Sequence, residues 1–307
     1  MNTFFKLACG FAFMAHLSMA QQSAPPTNKV PSSTTVSTPT TKSPAEKPLP
    51  DIATLFHDVE AHQKQLDSIR RNYMYRSAEL EEELDGDGKV KHTKREEREI
   101  FFVGRRQVSR LLKKDGVELS AAEQKKEQER VDKEVKELQK KEVKRQQKED
   151  EGKHADNEIT VETLLRICRF TDPRRISFNG RDTIVFEFSG NPDFKAHGMA
   201  ENAMKKLSGK VWIDEVGREV VRMEVQFDEA FKIAGGLFAS VHKGSHFAFE
   251  QALVNDEVWL PTYEEANVVA RVLVFKGIRE HSVSHFSDYR KFRVASKVDV
   301  VGEVKPQ

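Results

Sequence analysis

Cysteine is nearly absent: the 307-residue chain has two, Cys9 and Cys168. Cys9 falls in an N-terminal segment with the marks of an export signal. After cleavage one thiol is left and no intramolecular disulfide can form, so stability in an oxidising compartment rests on packing. Net charge is also lacking. Lys and Arg number 50 against 49 Asp and Glu, and removing residues 1–20 takes away Lys6 and no acid, leaving an even balance. A nucleic-acid binder shows a net basic surface, and this chain has none. Past the N-terminal run, no stretch is apolar for long enough to span a bilayer. The chemical motifs are missing too: there is no Gly-x-Ser-x-Gly, no Walker loop and no His-Glu-x-x-His.

Two histidine pairs have four-residue spacing, His242/His246 and His281/His285. On a helix that spacing would put both rings on one side of a metal. Both pairs sit in expected strands, where four residues span about 13 Å, so they read as ordinary strand histidines. Cys168 lies in an apolar run and reads as a small buried hydrophobe. No catalytic residue, metal site or cofactor is assigned, and the chain reads as a binder and not an enzyme.

What the sequence does have is alternation. Gly209–Phe227, GKVWIDEVGREVVRMEVQF, reads as a β-hairpin with strands Lys210–Asp214 and Glu219–Phe227. Val221, Met223, Val225 and Phe227 fall on one face of the return strand, the period-two pattern of a strand wet on one side. Gly217 is expected to supply the positive φ of the turn. Further strands are expected at Tyr73–Leu84 and Lys89–Val103 around Asp85-Gly86-Asp87-Gly88, at Arg105–Lys113, and at Arg174–Phe178 and Asp182–Ser189 around Asn179-Gly180. More follow at Phe231–Ser240 with a bend at Gly235-Gly236, at Val241–Gln251, at Glu257–Leu260 ending at Pro261, and at Tyr263–Phe275. Lys276-Gly277 is expected to turn the last of these into Arg279–Phe286, and Tyr289–Val294 closes the series. Asp85, Asp87 and Glu96 sit at calcium-loop positions, but Lys89 and Val90 occupy places that loop cannot give them, so a plain turn is expected.

The helices are fewer. Asp51–Asn72 is amphipathic, with Ile52, Leu55, Phe56, Val59, Leu66 and Ile69 at helical spacing and Asp51 as N-cap. A second packed helix is expected over Ile159–Phe170, stopped by Asp172-Pro173. A helical turn is expected around Ala200–Leu207. Residues 118–152 form a charged helical insertion opened by the capping box Ser120/Glu123. Its few apolar residues, Val131, Val135, Leu138 and Val143, make a narrow seam without the sustained heptads of a coiled coil, so a solvated helix held by ion pairs is expected. Residues 1–20 read as a signal peptide cleaved before Gln21, residues 21–50 as a disordered Pro/Ser/Thr-rich linker, residues 51–295 as the folded domain and residues 296–307 as a tail. The expected address is the periplasm.

At GKVWIDEVGREVVRMEV, at Asn72-Tyr73-Met74-Tyr75 after the first helix, and along the strands to Phe292, the chain resembles the bacterial outer-membrane lipoprotein-sorting proteins of the LolA type and their relatives LolB and RseB. It is also similar to uncharacterised secreted bacterial proteins through FEQALVNDEVWLPTYEEA and FKGIREHSVSHFSDYRKF. The resemblance implies an α+β fold, a curved antiparallel sheet or incomplete barrel with helices over its concave face. It implies a periplasmic carrier or receptor for an apolar ligand, lipid or lipoprotein acyl chains. Phe186, Phe188, Met223, Val225, Phe227, Phe247 and Phe249 are the expected lining. The alternative is an envelope sensor or scaffold that works through protein contacts.

Overall fold

A computed structural model describes residues 47–150, 166–233, 239–272 and 276–291. The signal, most of the linker, the start of the expected second helix, the Gly235-Gly236 bend and the C-terminal tail lie outside these residues.

The first helix, α1, runs over Ile52–Arg70. Its apolar spacing forms a stripe, and Asp51 opens it by accepting hydrogen bonds from the Thr54 backbone N–H and hydroxyl. Four strands follow: β1 (Tyr73–Leu84), β2 (Val90–Val103), β3 (Arg106–Lys114) and the short β4 (Val117–Glu118). In the β1–β2 turn, the Asp85 carboxylate accepts from the Asp87 and Lys89 backbone N–H groups. Helix α2 spans Ala121–Asp150, and its capping box is present, Ser120 and Glu123 bonding each other's side chain and backbone. Next come β5 (Cys168–Phe178), β6 (Arg181–Gly190), the short helix α3 (Met199–Met204), β7 (Leu207–Asp214) and β8 (Glu219–Phe227). The chain then makes β9 (Phe231–Ile233), β10 (Ala239–Val241), β11 (His246–Val254), β12 (Val258–Val272) and β13 (Lys276–Lys291).

All thirteen described strands belong to one antiparallel sheet, in the order β4-β3-β2-β1-β13-β12-β11-β8-β7-β6-β5, with β9 and β10 as a side ribbon against the far end of β12. The last strand lies beside the first, Tyr73 opposite Lys291. The sheet is open and does not close into a barrel. Helix α1 packs across β8 and β12 on the concave face. Its Leu55, Phe56 and Val59 are buried among Ile184, Phe186, Val211, Ile213, Val220, Phe247 and Phe249. The opposite face carries ion pairs such as Lys113–Glu97 at 3.0 Å and Arg110–Glu99 at 3.5 Å, together with the buried apolar residues Val185, Trp212 and Val108.

Several expectations change. Cys168–Phe170 is strand and not helix: it pairs with Phe188–Gly190 on β6, and Phe170 packs on Phe56 with ring centroids 4.7 Å apart. A short apolar run fits either element, and tertiary packing decides it here. Asp172-Pro173 does not end an element; it forms an irregularity within β5, with Asp172 at φ 53°. Pro261 likewise lies inside β12, where the register slips by one residue against β11, a position that tolerates the missing N–H. Lys276 and Gly277 pair with Val272 and Arg271 inside the last hairpin and do not form its turn. The final strand runs unbroken from Lys276 to Lys291.

The β7–β8 hairpin differs in two details. The residue at positive φ is Arg218, at 50°, and Gly217 is needed for space instead. A Cβ there would stand 2.9 Å from the Asp214 carboxylate and 3.0 Å from the Trp259 ring. Second, a bulge sets Trp212 opposite Arg222 and Ile213 opposite Val220, leaving Val221 as the extra residue. The alternation therefore slips. Val220 joins the cluster under α1, whereas Val221 packs with Trp212, Val185, Leu66 and Trp259.

Candidate functional site

Cross-strand register builds the concave face row by row. One row reads Phe186, Val211, Met223, Phe249 and Glu264 across β6, β7, β8, β11 and β12. The next reads Phe188, Gly209, Val225, Phe247 and Ala266 over the same strands. Phe227 follows, opposite Leu207. All seven expected lining residues thus stand on one face. Gly209 has a steric reason: its missing Cβ would run into the Glu224 carbonyl and sit 3.0 Å from the Phe188 ring.

Helix α1 divides this set. Phe186 is fully buried, with its ring 5.3 Å from that of Phe56, and Phe247 and Phe249 belong to the same cluster. Phe188 is buried with Ile167, Cys168, Met204 and Leu207, and Met223, Val225 and Phe227 are half-buried against that group. Burial pushes the Cys168 thiol up to about 12, so it stays protonated and unreactive near neutral pH.

Past the end of α1 the face opens into a shallow apolar recess. Its walls are Val225, Phe227, Phe247 and Val268 from the sheet, Leu207 at the start of β7, Val241 at the end of β10, and Ser245 and His246 where the chain enters β11. The recess forms where β12 changes partner, from β11 to β10. The chain breaks there at His242–Ser245, with Gly244 at φ 83°. Ser245 satisfies its own hydroxyl, which accepts from the Val269 N–H at 3.0 Å and donates to the Val269 carbonyl at 3.2 Å. Three of the expected residues, Val225, Phe227 and Phe247, line the recess; the other four do not. Leu207, Val241, Ser245, His246 and Val268 were not foreseen. Leu207 and Val268 carry a period-two signal, but the β10–β11 break that exposes them depends on pairing between distant segments.

The same two rows continue onto a different chemistry. Beyond Phe249 stand Glu264, Ser284, Glu79 and Glu96, and beyond Ala266 stand Ser282, Glu81 and Lys94. Burial, reinforced by the charge of Glu79, pushes the Glu264 carboxyl up to about 7. Burial and the neighbouring Glu81 raise Glu79, and burial with Glu81 and Glu79 raises Glu280. Glu96 is held by Arg98 at 2.6 Å and Lys94 at 3.2 Å. The concave face is thus half apolar and half carboxylate.

His246, His281 and His285 lie on strands, as expected, whereas His242 falls in the break between β10 and β11. On the convex side His281 sits between Glu82 at 3.4 Å and Glu265 at 3.1 Å. Among the described residues no three His, Cys, Asp or Glu side chains converge as metal ligands, and no described helix is long and apolar enough to cross a membrane.

No family model matches the sequence, and no curated protein matches it. Solved structures similar to it include a DUF1329 family protein from Desulfovibrio piger, 9% identical, covering 79% of this chain and 94% of that one with a TM-score of 0.31. The Pseudomonas aeruginosa MucA/MucB complex is 9% identical, covering 77% of this chain and 100% of that one at a TM-score of 0.21. A further structure of MucB with MucA(peri) is 10% identical over the same shares, at a TM-score of 0.19. Likeness at this level establishes no function.

Proposed function

We propose that the protein is a periplasmic binding protein, a carrier or receptor for an apolar ligand, with lipid or lipoprotein acyl chains as the ligand class. The observation that carries this reading is the apolar recess beyond α1. Its walls are almost wholly apolar, formed by Leu207, Val225, Phe227, Val241, Phe247 and Val268, the lining a small apolar ligand needs. Its one hydroxyl, on Ser245, is already satisfied by the backbone. The apolar alternation of Met223, Val225 and Phe227 fits the same ligand class, and residues 1–20, read as an export signal, fit the address. A second reading, an envelope sensor or scaffold, draws on a different place, the contact between α2 and β3.

Titration of the purified protein with a fluorescent fatty acid tests the proposal. The unmutated protein is expected to bind. Val225→Asp, at a half-buried position on the recess wall, is expected to keep near-normal melting and lose binding, because water reaches the new carboxylate. Absence of binding by the unmutated protein, or collapse of the Val225→Asp fold, makes this face plain core and ends the carrier reading. Deleting residues 120–152 leaves fatty-acid binding intact if the recess is the site.

A further inference from the structure

A sheet edge turns a row of unpaired N–H and C=O groups outward, ready to accept another strand. On the outer side of β3 two such groups meet side chains of α2. The Leu111 N–H donates to Glu127 Oε1 at 2.7 Å, and the Arg130 guanidinium donates to the Ser109 carbonyl. Glu127 and Arg130 also pair with each other at 2.7 Å. A carboxylate acceptor and a guanidinium donor here copy what the backbone of a neighbouring strand would offer across two residues. Just beyond, β4 supplies real pairing beside Lys113 and Lys114. The outer edge of β3 therefore starts as a ladder and continues as a side-chain imitation of one.

The imitation is lightly held. Among the described side chains of α2 only Val131 is fully buried; Val135 and Leu138 are half-buried and Val143 is exposed. Some of its contacts are internal, such as Arg130 to Glu134 at 2.7 Å and Gln128 to Asp132 at 2.7 Å, and these travel with it when it lifts, whereas Glu142 lies against Gly104 at the β2–β3 turn.

The chemistry of the strand indicates what the edge would accept. β3 carries Arg106, Arg110, Lys113 and Lys114 and no acid. On its inner side β2 answers with Glu99, Glu97 and Glu96 directly opposite Arg110, Lys113 and Lys114. With Lys113 and Lys114 already paired by β4, a second strand on the outer side faces Arg106 and Arg110, and a second copy of β3 would set cation against cation. We propose that the outer edge of β3 is a docking edge for an acidic extended segment of a partner polypeptide, covered by α2 until Glu127 and Arg130 let go.

The test uses the full chain and two ten-residue synthetic peptides, one alternating Glu with Val and the other Lys with Val. Glu127→Ala/Arg130→Ala is expected to bind the Glu peptide at least tenfold more tightly than the unmutated protein does, and at least tenfold more tightly than it binds the Lys peptide. Bound peptide is expected to slow hydrogen exchange at the Leu111 amide. Equal binding by variant and unmutated protein, equal binding of both peptides, or binding without protection of Leu111 overturns the proposal. If the double variant fails to fold, Val131→Ala loosens the same cover and gives the same readouts.

Discussion

The side-chain amide of Gln63 on α1 donates a 2.9 Å hydrogen bond to the Glu219 carboxylate at the start of β8. Both groups are buried, and Gln251 reaches the same carboxylate oxygen from β11 at 3.3 Å. Arg70 stands 3.7 Å from the other oxygen and His62 3.9 Å. The greasy side of α1 is thus pinned to the sheet by a polar contact. Removing a partner from a buried carboxylate costs more than the hydrogen bond itself contributes. Gln63→Ala is expected to lower unfolding free energy by about 1–3 kcal/mol, read by urea denaturation.

Phe186 and Phe227 stand on one face but in different surroundings. Phe186→Ala hollows the cluster under α1 and is expected to cost about 3–5 kcal/mol. Phe227 is half-buried on the recess wall, so Phe227→Ala is expected to cost less than half of that and to weaken fatty-acid binding. Thermal melts run beside the binding titration separate the two.

Glu264 makes stability depend on pH in the direction opposite to most carboxylates. Its folded value of about 7 lies above the ordinary 4.5. Between those values the folded chain holds more protons than the unfolded chain, so stability falls as pH rises from 4.5 to 7. Glu264→Gln removes that loss. The variant is expected to match the parent at pH 4 and to exceed it at pH 8 by at most about 3 kcal/mol, as measured by denaturation at the two pH values.

Glu215 behaves in the ordinary way. Hydrogen bonds from Arg175 and Lys47 hold its carboxyl down to about 2, against burial. The stability it contributes is present above 4.5 and is lost as pH falls toward 2. Arg175 also donates to the Lys47 and Pro48 carbonyls, clasping the entry segment to the sheet. Arg175→Ala is expected to unfold at a higher pH than the parent in an acid titration, and to make the chain near Lys47 a faster site of proteolysis.

Much of the fold was readable because its signals are local. The alternation of Met223–Phe227, the Asp85–Gly88 and Asn179-Gly180 turns, the Asp51 cap and the Ser120/Glu123 box depend on neighbours within a few residues, and each stands where its chemistry indicated. What failed needed distant partners. The strand identity of Cys168–Phe170 comes from β6 and from Phe56. The slip at Val221 comes from the bulge against Trp212, and the continuity of β12 through Pro261 comes from the register with β11. The candidate site divides in the same way. Its face was legible as grease on alternate positions, but alternation does not say which part a helix covers. The division between buried Phe186 and recess-lining Val225 is set by where α1 ends, and the recess owes its shape to the break between β10 and β11.

The pairing of β13 with β1 has a temporal meaning. The partners lie about 200 residues apart along the chain, so β1–β3 carries an unfinished edge until the final strand arrives. Long-range pairing of this kind is slow to form, and an unpaired edge is where chains aggregate while they wait. The edge of β1 that waits for β13 carries Glu79, Glu81, Glu82 and Glu83 in close succession. Like charges set against each other oppose the pairing of two such edges. The acidity that raises Glu264 in the finished sheet is thus expected to guard the incomplete one during folding.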